Sequence, residues 1–160
     1  MSEKKDQGPT PYVFSRGSCA QHIEFIVQHL GGIKQFEMKM RTSDAIEHAS
    51  VLINGGALFL SDRIKNYGAP DADDASNSRA SQIYLGYKSE EDGKKAWAKV
   101  APHCKVLMPF EATSWGSYYG VVEDPFGTVW ALSCPDSKAA KPHGSQTLEE
   151  KEAEAKKHKT

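Results

Sequence analysis

The sequence predicts an α+β fold in which the element order β-α-β-β-β is run through twice. Three observations carry that expectation. Two amphipathic segments, one opening at Ser18 and the other at Ser89, have helix-starting and helix-ending residues at their two ends. Each is preceded by one short strand-like run and followed by three. Turn-forming groups, Asn54-Gly55-Gly56 and Asp124-Pro125-Phe126-Gly127, separate the last two runs of each half. The residues themselves do not repeat; only the order of elements does.

Taken in order, Tyr12-Val13-Phe14 is the first strand. Ser18 followed by Gln21 has capping-box spacing: the hydroxyl takes the Gln21 N–H while the Gln amide reaches back. Ile23, Ile26, Val27 and Leu30 then recur at i, i+3, i+4 and i+7 as the inward stripe, and Gly31-Gly32 ends the helix because glycine accepts the left-handed conformation. Residues 33–40 alternate as Phe36, Met38, Met40, and His48–Ile53 and Ala57–Leu60 flank a hairpin turn. In the second half Ile83–Tyr87 precedes a helix opened by Ser89, with Glu90, Glu91 and Asp92 against the positive end of its dipole. Gly93, Ala96, Trp97 and Val100 form its inward stripe, and Pro102 stops it. Lys105–Met108, Tyr118–Val122 and Thr128–Cys134 complete the second set of strands.

The folded part is expected over 11–135, with a first module at about 11–62, a linker loop at 63–80 and a second module at about 81–135. Residues 1–10 are polar and expected to be disordered. Residues 136–160 have no aromatics, and their few apolar side chains cannot offset the ~1–2 kcal/mol per residue that ordering a backbone costs. That tail reads as solvated charge, or as a docking arm.

Composition excludes several function classes. With 160 residues, 20 Lys+Arg and 21 Asp+Glu, the net charge of −1 gives no basic footprint for nucleic acid. No apolar run approaches the ~18–20 residues that cross a bilayer, and the opening MSEKKDQGPT does not read as a signal peptide. Three cysteines, Cys19, Cys104 and Cys134, without C-x-x-C spacing suit reduced thiols in a cytoplasmic protein.

Three segments carry a family resemblance. Gly17-Ser18-Cys19-Ala20-Gln21-His22-Ile23-Glu24-Phe25 resembles a "G-N-x-x-x-A-x-x-F" first helix, and Ala57-Leu58-Phe59-Leu60-Ser61-Asp62 resembles an "L-M-L-S-D" strand. The most specific is FEATSWGSYYGVVEDPFGTVWAL, Phe110 to Leu132, which is similar to "T-F-W-G-x-R-Y-G-x-x-x-D-P-F-G-x-x-W-x-L". These are motifs of the PhnB-like branch of the vicinal-oxygen-chelate superfamily, which includes glyoxalase I, the bleomycin- and fosfomycin-resistance proteins and the extradiol dioxygenases. The resemblance implies two βαβββ modules whose curved mixed sheets enclose a cavity, commonly in a homodimer, and a small-molecule ligand.

In metal-bearing relatives the ligands come from the first and last strand of each module and are His, Glu or Gln. By that resemblance the corresponding positions here are Phe14 (or Tyr12), Leu60 (or Leu58), Gln82 and Ala131. Three of the four lack a donor atom, so neither a metal nor another cofactor is expected, and no catalytic residue can be assigned. The function expected is binding of a small, partly apolar molecule, with Phe14, His48, Leu60, Gln82, Trp115 and Tyr119 lining the pocket. The alternative is a metal-dependent lyase, isomerase or dioxygenase whose ligands are displaced from these positions.

Other chemistry-bearing residues have structural readings beside functional ones. His22 and His29 read as surface or boundary histidines and His103 as a complement to a helix dipole. His48 could instead be a base or anion contact, tuned by Glu47 or Glu37. Cys19 lies in a first helical turn, where amide groups lower a thiol pKa, but a structural thiol is the simpler reading. The acidic loop Asp71-Ala72-Asp73-Asp74 lacks the Gly and closing Glu of a calcium loop. Asp124 reads as a turn former, Trp130 as core, and Trp115 as either pocket wall or core.

Overall fold

The computed structural model describes residues 6–64 and 81–139. The acidic loop, most of the expected linker, residues 1–5 and residues 140–160 lie outside it. In chain order the elements are β1 (Tyr12–Ser15), α1 (Cys19–Leu30), β2 (Ile33–Lys39), β3 (Ile46–Ile53) and β4 (Gly56–Asp62). Then come β5 (Ile83–Gly86), α2 (Glu90–Val100), a 3₁₀ turn at Ala101–His103, β6 (Lys105–Ala112), β7 (Ser117–Glu123) and β8 (Val129–Pro135). Each half is one mixed sheet: β1-β4-β3-β2 in the first and β5-β8-β7-β6 in the second. The first strand of each half runs parallel to the last, and the remaining pairs are antiparallel.

Local chemistry sets the boundaries. The Ser18 side chain accepts the Gln21 N–H at 3.3 Å to start α1, and Gly31, at φ 67°, ends it in the left-handed region. Asn54 and Gly55, at φ 50° and 80°, form the two-residue turn between the paired Ile53 and Gly56. Both central residues of this hairpin turn need positive φ, which is why Asn-Gly stands there. Ser89 caps α2 through the Asp92 N–H, and Glu90 and Glu91 form ion pairs one turn on with Lys94 and Lys95.

The core lies between the helices. Cys19, Ile23, Ile26 and Leu30 of α1 share one cluster with Val51 and Leu60 of the first sheet. The same cluster takes in Leu85, Val100, Val122, Trp130 and Leu132 of the second half, and α1 packs on α2. Each half therefore spends its helix-covered face on the other half.

Four details differ from the sequence reading. Val27 is 40% exposed; the inward seam of α1 runs instead through Cys19, His22, Ile23, Ile26 and Leu30, and Phe25 is buried where α1 reaches Phe126. Edge strand β2 exposes Ile33, Phe36 and Met38; Phe36 and Met38 pair with Ser50 and His48 and so face away from the helices, and register shifts follow Lys34 and Met38. β6 runs on to Ala112. Finally, residues 136–139 are held: Asp136 N–H donates to Gly116 O, and Ser137 donates to Glu90 from both its N–H and its hydroxyl. Lys94 and then Ser137 hold the Glu90 carboxyl down at about 2.

Candidate functional site

Cross-strand pairing decides which side chains face away from the helices. In the first sheet Ala49 pairs with Leu60 and Val51 with Leu58, all buried on the helix side. Ser50 pairs with Phe59 and Met38 with His48, so these four take the opposite, open face. On β1, Tyr12 pairs with Phe59 and Phe14 with Ser61 on that same open face. Leu60 is thus a core residue and not a pocket residue. The run Ala57-Leu58-Phe59-Leu60-Ser61 is apolar on both faces, and Phe59 and Ser61 are the β4 residues on the open side.

The open face of the first sheet is a ring cluster. Tyr12 lies 5.3 Å from Phe14, 5.6 Å from His48 and 6.2 Å from Phe59, centroid to centroid. His48 is edge-on to Phe59 at 4.9 Å and lies 6.0 Å from Phe36. The polar contact within it joins Tyr12 Oη and His48 Nδ1 at 3.2 Å. Glu37 pairs in register with Ala49, on the helix side, and forms an ion pair with Lys34. Its carboxylate lies on the face opposite the His48 ring.

The second sheet has the same plan. Ile83 pairs with Trp130 and Leu85 with Leu132 on the helix side, which leaves Gln82, Tyr84, Ala131, Val121 and Tyr119 on the open side. Tyr119 Oη donates to Gln82 Oε1 at 2.8 Å, and Trp115 stands edge-on to Tyr119 at 6.3 Å. A cavity of about 540 Å³ opens there, with Tyr84, Trp115, Tyr119 and Ser133 among its walls. Trp115 is a pocket-wall residue, exposed at the loop before β7. Tyr118 turns to the other face, stacks on Phe110 and lies under Lys94. Of the expected pocket residues, Phe14 and His48 come together on one sheet, and Gln82, Trp115 and Tyr119 on the other.

A buried polar network joins the halves. His22 is fully buried, against the expectation of a surface histidine. Its Nδ1 lies 2.8 Å from Ser15 Oγ and its Nε2 lies 2.8 Å from Asp124 Oδ2. An ionised Asp124 can only accept, so Nε2 carries a proton toward it, while Nδ1 and the Ser15 hydroxyl share the second bond. Trp130 Nε1 donates to the same Oδ2, while Asp124 Oδ1 accepts the Phe126 and Thr128 amides. The turn-forming role expected of Asp124 is present, with the inter-module bonds added to it. Phe126 covers the His22 ring at 4.7 Å. The order Ser-His-Asp resembles a hydrolytic triad, but Ser15 is buried with no path for a substrate, so the arrangement is structural.

The thiols are not activated. Burial pushes Cys19 up to about 11 despite its place at the helix start, where Asp62 rather than the sulfur takes the Cys19 N–H. Burial likewise raises Cys104 to about 12 and Cys134 above its usual value. Cys134, like Cys19, is buried, and all three thiols are free. His103 stacks on His29 at 3.9 Å; burial, then the charge of His103, lowers the His29 pKa.

The residues at the family's metal positions do not fit a divalent ion. Phe14 and Ala131 offer carbon, Leu60 is turned into the core, and the Gln82 amide oxygen already accepts from Tyr119. Among the described residues no three His, Cys, Asp or Glu side chains are placed to share a metal. A hard divalent ion needs several nitrogen or oxygen donors converging at once, so no step is derived through one.

Comparison with known proteins agrees with this architecture. No family model matches the chain. Protein YjdN of Escherichia coli is 27% identical over 143 residues, covering 78% of this chain and 92% of its own length. PA1353 from Pseudomonas aeruginosa superposes with a TM-score of 0.66 at 24% identity, over 81% of this chain and 98% of that one. A Bacillus cereus protein described as a putative 3-demethylubiquinone-9 3-methyltransferase, PhnB protein, superposes at 0.64 and 18% identity, over 80% and 99%. FosX, a fosfomycin resistance protein of Listeria monocytogenes solved with Mn(II) and sulfate, superposes at 0.57 and 12% identity, over 92% and 98%. The fold is that of the vicinal-oxygen-chelate, or glyoxalase/bleomycin-resistance, proteins.

Proposed function

We propose that this chain is a PhnB-like member of the vicinal-oxygen-chelate superfamily that binds a small, partly apolar molecule without a metal, in a cavity completed by two copies. The observation that carries the reading is the makeup of the two open faces. Each presents aromatic walls and one polar pair, Tyr12–His48 or Tyr119–Gln82, with no converging set of metal donors among the described residues. Apolar walls with a few placed polar atoms are what a small-molecule site requires.

The packing supports a dimer. The helix faces of the two halves cover each other, which leaves Tyr12 44% and both Tyr84 and Trp115 62% exposed on faces that no described element covers. A two-fold partner would bring a first sheet over a second sheet and cover both open faces. Sedimentation at micromolar concentration should give twice the chain mass of 17.6 kDa. A mass near a single chain would overturn this part of the reading. The free, mostly buried thiols suit a reducing compartment, and we place the protein in the cytoplasm.

Ligand entry should be reported by Trp115. Gly116, at φ 88°, gives the adjoining backbone a conformation that a side chain would resist, and the indole stands beside the cavity it would cover. Stacking on an indole contributes about 0.5–1.5 kcal/mol beyond buried area. Trp115→Ala should therefore weaken binding of apolar metabolites up to about tenfold in a fluorescence or calorimetric titration. EDTA should leave binding by the wild type unchanged. The second reading, a metal-dependent enzyme, is favoured by the likeness to the Mn(II)-bound FosX structure. Binding lost to EDTA, or turnover restored by added divalent metal, would establish it.

A further inference from the structure

We infer that the open face of the first sheet selects a ligand presenting an oxygen acceptor on a flat apolar body, an aryl carboxylate or similar, and that the Nε2–H of His48 reads that oxygen. This rests on the ligand-binding reading above and adds the polarity of the ligand.

The argument begins with the Tyr12 Oη–His48 Nδ1 contact at 3.2 Å. A phenol O–H is a better donor than an imidazole N–H, and an imidazole lone pair is a better acceptor than a phenol oxygen. The bond therefore runs from Tyr12 to Nδ1, and the ring proton of neutral His48 sits on Nε2. Protonation of the ring adds a proton at Nδ1 and leaves the one on Nε2, so that edge is a donor in either state. Nε2 has no partner among the described residues, and His48 is only partly covered, so the donor is available to a ligand.

The surroundings favour the same chemistry. Phe36 and Phe59 flank the imidazole, and Phe14 stands beside Tyr12, so a flat ring laid there meets aromatic surface with the donor at its edge. Glu37 belongs to the helix side and is paired with Lys34, and Glu47 stands at the register shift between the Met38–His48 and Lys39–Ile46 pairs. The open face of the second sheet repeats the polarity. Tyr119 donates into Gln82 Oε1, which leaves the Gln82 amide N–H groups as the unused ones. Ser50 and Ser61 can donate or accept and do not alter the balance. With a net charge of −1 the chain has no general affinity for anions, so a preference for one would arise locally.

The test uses three probes with one ring system: 2-naphthoate, 2-methylnaphthalene and 2-(aminomethyl)naphthalene as its cation. Calorimetry on the wild-type full chain should find naphthoate bound at least tenfold tighter than either of the others. His48→Phe, which keeps the ring and removes the N–H, should bind naphthoate and methylnaphthalene equally. Equal binding of the three by the wild type, or a naphthoate preference that survives in His48→Phe, would overturn the inference while leaving ligand binding intact. No binding of any probe would overturn both. A measurement independent of any variant is the long-range ¹H–¹⁵N spectrum, where neutral His48 should show its proton on Nε2. A proton on Nδ1 would refute the assignment.

Discussion

Asp124→Ala should unfold this protein at a melting temperature about 10–20 °C below that of the wild type. The carboxylate is buried and accepts four hydrogen bonds, from the Phe126 and Thr128 amides, His22 Nε2 and Trp130 Nε1. Alanine takes away the acceptor and leaves those donors dry, and each orphaned buried donor costs about 1–3 kcal/mol, though not additively. With four donors affected, the combined loss comes to about 3–5 kcal/mol. In a domain of this size that corresponds to several degrees per kcal/mol. Asp124→Asn should lose less, because its remaining oxygen still serves the two amides while the new NH₂ opposes His22 and Trp130. Thermal and urea unfolding of both variants provide the check. A loss below about 1 kcal/mol in Asp124→Ala would mean that the network is dispensable and that the halves are held by apolar packing alone.

How much of this was legible in the sequence follows the distance over which each interaction acts. The Ser18 cap, the Gly31 stop, the Asn54-Gly55 turn and the Asp124–Gly127 turn are decided within four or five residues, and they stand where the residue types place them. The doubled βαβββ order is a sum of such local decisions. The phase of β4 is not: Leu58, Phe59 and Leu60 are all apolar, so only the pairing with Ala49 and Ser50 reveals which of them face the helices. The run alone therefore does not separate Leu60, which faces the core, from Phe59, which lies on the open side with Phe14 and His48. The burial of His22 escapes the sequence for the same kind of reason. Its partner Asp124 is 102 residues away, and a histidine in a helix carries no local mark of a buried carboxylate above it.

Gly93→Ala tests a case in which local and long-range physics disagree. Glycine inside a helix is about 1 kcal/mol worse than alanine, so on propensity alone this change in α2 should stabilise. The fold reverses that expectation. A Cβ at position 93 would collide with Cys134 Sγ and stand 2.5 Å from Cys134 Cβ, on β8. Rotating the cysteine side chain moves its sulfur but not its Cβ, which is fixed to the strand backbone. Relief therefore requires α2 to lift from the sheet, with Phe110 already 3.6 Å away on another side. Overpacking of this kind costs about 1–3 kcal/mol, and contact between two backbone-borne carbons belongs at the upper end. The net expectation is a loss of about 2 kcal/mol, read from urea unfolding. Cys134→Gly removes both clashing atoms, so the Gly93→Ala/Cys134→Gly double variant should be more stable than the sum of the single losses predicts. Strict additivity, or a Gly93→Ala variant as stable as the wild type, would show that α2 does not ride on β8 at the separation that positions Tyr119 and Ser133 on the opposite face.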